Sequence, residues 1–91
     1  MKINPVGHIG ATHRTGGLNN ISAEQISEIL GFGPNVDDDP DKVVNSWAGE
    51  SDGELFAIWD YKGSQRYNQF STWGDPETLD RLFGAYFRSE R

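Results

Sequence analysis

The run Glu54-Leu55-Phe56-Ala57-Ile58-Trp59-Asp60-Tyr61-Lys62 constrains this chain more than any other stretch. It follows Asp52-Gly53, a strong signal for a tight hairpin turn. It therefore reads as a strand, in which alternate side chains point to opposite faces. Phe56 and Ile58 then face one way, and Leu55, Ala57, Trp59 and Tyr61 the other. The preceding segment, Lys42–Ala48, repeats the arrangement with Val43 and Trp47 opposite Val44 and Ala48. A sheet that is apolar on both faces needs cover on both. One layer of two short helices covers one face. The second face is expected to be closed by loops 14–20 and 31–41, or by a second subunit or a ligand.

The other elements follow from local chemistry. A short strand is expected around Gly7–His13, followed by a polar, glycine-bearing loop over Arg14–Asn20. Ser22 and Gln25 form a capping box, and Ile21 and Ile26 stand at the positions of a hydrophobic staple. Ile26, Ile29 and Leu30 make the apolar stripe of the first helix, and Gly31 is its stop. A third member of the central sheet is expected over Arg66–Trp73, after a turn at Gly63-Ser64. Asp75-Pro76-Glu77 opens the last helix with an N-cap, a proline at N1 and an acid in the first turn. Its stripe is Leu79, Leu82, Phe83 and Tyr86, with Arg88 and Arg91 near its C-terminal end. The order is β-α-β-β-β-α: an α+β fold with a mostly antiparallel four-stranded sheet and two short helices on one face.

At 91 residues the chain is long enough for a single domain spanning 1–91. A fold of this size buries only about 60–65% of the surface its unfolded chain exposes, which favours subunit association. There is no apolar run of membrane-spanning length and no signal-peptide pattern. With no cysteine, disulfides, thiolate metal sites and a cysteine nucleophile are excluded. The net charge of −6 argues against long nucleic acid held by counterion release, but leaves room for a compact anion in one local pocket.

Catalytic patterns are missing. His8 and His13 are the only histidines, five residues apart and without a third ligand nearby, so no metal site is expected. Four aspartates in Asp37–Asp41, interrupted by Pro40, lack the alternation of a calcium loop. His13-Arg14-Thr15 is one H-x-T element, where paired phosphoesterase sites use two, so in-line hydrolysis would lack its acid or its base. No nucleophile elbow or phosphate loop is present. The densest constellation is Ile58–Tyr67 continued by Ser71–Gly74, which interleaves Trp, Tyr, Lys and Arg. Aromatic faces stack nucleobases at about 1–3 kcal/mol each, and Lys or Arg beside a Gly-Ser turn suit phosphates. The competing reading makes Trp59 and Trp73 core residues, and Lys62 and Arg66 ordinary edge charges.

Four fragments together resemble a widespread group of small phage-encoded proteins. They are Gly7-His8-Ile9, Ile29–Pro34, the run from Lys42-Val43 through Trp47 and Asp52-Gly53 to Lys62, and Ser71–Gly74. Nearly the whole chain is covered, although His8 stands where the group usually has tyrosine and Arg14–Asn20 lengthens the first connection. Within that group the chain is similar to the anti-CBASS sponges, which sequester cyclic dinucleotide and trinucleotide immune signals without cleaving them. The resemblance implies a viral, non-catalytic protein of the infected bacterial cytoplasm, a dimer or tetramer with no cofactor and no bound metal. Its ligand would be a cyclic oligonucleotide. Bases would stack on Trp59, Tyr61, Tyr67 or Trp73, and phosphates would meet Lys62, Arg66 or Arg14, supported by Thr12 and Ser64. The alternative is an acidic inhibitor that occludes a host defence protein, using Asp37–Asp41 and surface carboxylates to mimic nucleic-acid phosphates.

Overall fold

The computed structural model describes residues 3–7, 13–35, 43–61 and 69–89. In chain order these form β1 (Ile3–Pro5), β2 (Gly16–Asn19), α1 (Ala23–Leu30), β3 (Val43–Ser51), β4 (Glu54–Tyr61), β5 (Gln69–Gly74), α2 (Pro76–Phe83), a 3₁₀ turn (Gly84–Tyr86) and β6 (Phe87–Ser89). The six strands make one sheet in the order β1-β3-β4-β5-β2-β6, and every neighbouring pair is antiparallel. The architecture is α+β as expected, with more strands than the four anticipated.

Both helices begin where their caps dictate. Ser22 Oγ accepts from the Gln25 amide while the Ser22 amide donates to Gln25 Oε1, closing the capping box. Gly31 stops α1 with φ of 85°, a conformation open to glycine. Asp75 Oδ2 accepts from the amide and the hydroxyl of Thr78, and Pro76 occupies the first turn of α2. The hairpin between β3 and β4 turns on Asp52 (φ 52°) and Gly53 (φ 85°) alone. Two left-handed residues in a two-residue loop match the right-handed twist of the strands. β3 accordingly runs on through Gly49-Glu50-Ser51 instead of ending at Ala48.

Three departures share one cause, which is pairing between distant segments. The strand expected around Gly7–His13 is absent from its described residues, Gly7 and His13, while residues 8–12 lie outside the described residues. Strands form on either side of it instead, and β2 occupies the stretch expected as a loop. Gly16-Gly17 has little intrinsic strand preference, but β2 gains partners on both edges, from β5 and β6. Close packing also favours a bare residue here. A Cβ on Gly16 would lie 2.8 Å from the Arg88 carbonyl oxygen and 2.9 Å from both Phe87 and Thr72 side chains. The last helix ends at Gly84 (φ 55°), so Arg88 sits on β6 rather than in a final helical turn. The third central strand begins at Gln69, and residues 66–68 lie outside the described residues.

The core lies between the sheet and the helices. Trp47, Ile58, Phe56, Phe70 and Leu18 meet Ile26 and Leu30 of α1 and Leu79 and Phe83 of α2, joined by Ile21. Trp47 packs edge-on to Phe70 and donates its indole N–H to Ser27 Oγ on α1. Asn35 closes the outer edge of β3 beyond β1. Its backbone amide donates to Ser46 O, its side-chain amide donates to Val6 O and Ala48 O, and its Oδ1 accepts from the Ala48 amide.

On the opposite face, cover from within the chain, one of the two expected outcomes, accounts for Ala57 and Trp59. Ala57 and Trp59 do point away from Phe56 and Ile58, yet both are 6% exposed within one chain. A second subunit is therefore not needed to bury them. Of this apolar set, Leu55 stays exposed at 42%.

Candidate functional site

The antiparallel register lays one row of residues across that opposite face: Ser46, Trp59, Ser71, Gly17 and Arg88, contributed in turn by β3, β4, β5, β2 and β6. Neighbouring strands are about 4.8 Å apart, so Trp59 and Arg88 lie about 14 Å from each other along the row. The neighbours of this row in sequence, Leu18 and Phe87, are paired and turn toward the core, which sends Gly17 and Arg88 outward.

Arg14 joins the row from outside it. The Thr15 amide donates to Thr72 O at 2.8 Å, continuing the β2–β5 ladder by one step. The Arg14 side chain then folds back over the sheet, where Nη1 donates to Ser71 Oγ at 2.8 Å. Its guanidinium occupies the space a side chain at Gly17 would fill, with Nη2 2.8 Å from the position of a Cβ there. A permanently charged five-donor group thus rests between a buried serine and a bare glycine, one strand away from Trp59.

Trp73 lies two residues beyond Ser71 on the same face, about 7 Å along β5. It is half-buried and borders an open groove of about 500 Å³, lined also by Thr15, Gly53, Glu54, Leu55, Gly74, Asp75 and Pro76. The Asp75 carboxylate already caps α2, so the groove's accessible chemistry is the Trp73 ring, the Thr15 hydroxyl, the exposed Glu54 carboxylate and apolar surface.

Of the residues picked out by sequence, Arg14, Trp59 and Trp73 share this face. Tyr61 closes β4 opposite Val43. Thr12, Lys62, Ser64, Arg66 and Tyr67 lie outside the described residues. Gly17, Ser71 and Arg88 join the row through strand register, which their residue types do not announce. The alternation Phe87-Arg88-Ser89 after a helix-ending Gly84 is the signal that would have placed Arg88 on a strand.

Among the described residues no group of three or more His, Cys, Asp or Glu is placed to hold a metal ion, and no helix is long and apolar enough to cross a membrane. Comparison with known protein families, curated proteins and solved structures finds no match to this chain.

Proposed function

We propose that this protein binds a small nucleotide anion, of the cyclic di- or trinucleotide class, and holds it without cleaving it. The observation that carries the reading is Arg14 anchored on Ser71, on the same face as the half-buried Trp73 two residues along β5, while Trp59, 6% exposed, lies beneath this face rather than offering a ring to it. Indole surface for a base and a guanidinium for a phosphate lie within the span of one nucleotide. Guanidinium groups stay protonated at any physiological pH and so transfer no protons. A site built on them has affinity without an acid or base to drive hydrolysis. The net charge of −6 is compatible with this, because a compact anion of two or three charges is neutralised locally rather than by the whole surface.

A thermal-shift panel of cyclic di- and trinucleotides tests the reading. Ligand at 100 times its Kd stabilises by about 2.7 kcal/mol, which for a domain of this size raises Tm by roughly 10–20 °C. The bound nucleotide should be recovered chemically intact after denaturation. If no member of the panel moves Tm, the reading is wrong. A salt-sensitive complex with a basic protein, together with that silence, would replace it by an acidic occluding inhibitor.

A further inference from the structure

We infer that the groove beside Trp73 is a base pocket selective for guanine, with Glu54 reading the edge of the base and Trp73 supplying the surface on which it stacks. The inference rests on the nucleotide reading above and names the base that reading leaves open.

In the sheet, β5 lies between β4 and β2. Trp73 on β5 therefore stands at the middle of the groove, with Glu54 and Leu55 at the start of β4 on one side and Thr15, just before β2, on the other. The Trp73 ring is half-buried, so part of it packs against the protein and part is open to an occupant. Leu55, 42% exposed, is the one large hydrophobic side chain among the described residues that stays open to solvent, and it lines this groove. Such a surface favours a flat occupant with an apolar face and a polar edge. Gly74 follows the ring with φ of 131°, and a Cβ there would lie 2.7 Å from the Leu55 carbonyl oxygen. That close approach leaves bare backbone next to the ring and sets the end of β5 tightly against β4.

The polar groups decide which base fits. None of the described residues lining the groove is basic, so it suits the base of a nucleotide and not its phosphate. The Asp75 carboxylate is occupied by the amide and hydroxyl of Thr78. Glu54 is exposed, and its carboxylate makes no hydrogen bond or ion pair among the described residues. An ionised carboxylate only accepts, through two oxygens side by side. Guanine alone among the common bases presents two adjacent donors on its Watson–Crick edge, N1–H and the N2 amino group, and both can reach one carboxylate. Adenine and cytosine set a ring-nitrogen acceptor beside their amino group, and uracil flanks its one N–H with carbonyls. Each of these would aim a lone pair at Glu54, and a site built for a donor pair rejects a base that lacks it.

The test titrates the full chain with cyclic di-GMP, cyclic di-IMP and cyclic di-AMP by calorimetry. The parent should bind cyclic di-GMP about 10–100-fold more tightly than cyclic di-AMP, the worth of a hydrogen bond to a charged group. Cyclic di-IMP, which keeps N1–H but lacks the N2 amino group, should fall between them. Glu54→Gln replaces one acceptor by a donor, the pattern an adenine edge requires. It should weaken cyclic di-GMP binding by a similar factor and bring cyclic di-AMP level with it or ahead, with Tm unchanged because the side chain is exposed. If the parent binds cyclic di-AMP as tightly as cyclic di-GMP, guanine selection is refuted while the nucleotide reading stands. If Glu54→Gln leaves the preference for cyclic di-GMP intact, Glu54 does not read the base and the inference falls in the same way. If the parent binds none of the three, nor any other cyclic nucleotide, the nucleotide reading itself fails and the base pocket with it.

Discussion

Asn35→Ala should be among the most damaging single substitutions outside the apolar core. The Asn35 side chain makes three hydrogen bonds, to Val6 O at 2.9 Å, Ala48 O at 3.0 Å and the Ala48 amide at 2.9 Å. Ala48 is 1% exposed, so its N–H has no route to water once Oδ1 is removed. Leaving a buried donor unsatisfied costs about 1–3 kcal/mol. The two bonds donated to carbonyls contribute roughly 0.5–1.5 kcal/mol each, although Ala48 O keeps the Val6 amide as a second donor. A total loss of about 2–4 kcal/mol follows, against roughly 5–14 kcal/mol for a whole domain of this length. Urea denaturation followed by tryptophan fluorescence should show a lower midpoint with an unchanged m value. Asn35→Asp, which retains an acceptor but sets a carboxylate against two carbonyls, should be no better. A loss below about 0.5 kcal/mol, the size of an ordinary surface substitution, would show that this edge is not held by Asn35.

Other substitutions test separate parts of the fold. Thr72 is fully buried and its hydroxyl has no hydrogen-bond partner among the described residues; Thr72→Val should be neutral or stabilise by about 1 kcal/mol in chemical denaturation, and a clear loss would reveal a hidden partner. Gly53→Ala forces a Cβ into a φ of 85° at the hairpin and should cost about 1–2 kcal/mol, read as a fall in Tm. Asp75→Ala removes the acceptor for the Thr78 amide and hydroxyl and should cost about 1–2 kcal/mol, with Asp75→Asn recovering most of it.

What was legible in the sequence was local chemistry. Ser22 with Gln25, Asp52-Gly53 and Asp75-Pro76 each place a chain reversal or helix start through contacts three or fewer residues apart, and all three stand where expected. β2 and β6 were invisible for the opposite reason. Gly16-Gly17 and a three-residue edge strand become strands only through partners elsewhere in the chain, and no window of neighbouring residues carries that information. The same distinction divides the candidate site. Trp59, Trp73 and Arg14 stand out by residue type, whereas Arg88 enters only with the strand that holds it. Burial was the hardest quantity to foresee. Alternation correctly sent Ala57 and Trp59 to the second face, but could not decide whether the chain's own loops or another molecule would cover them; one chain hides both.

The placement of β2 has a consequence for the order in which the sheet can be completed. Gly17 emerges early in synthesis, while Ser71 and Arg88, the residues it pairs with on either side, come late. β2 therefore gains both of its neighbours only once β5 and β6 have joined the sheet, so a glycine pair with little strand preference of its own is held by segments far from it in sequence.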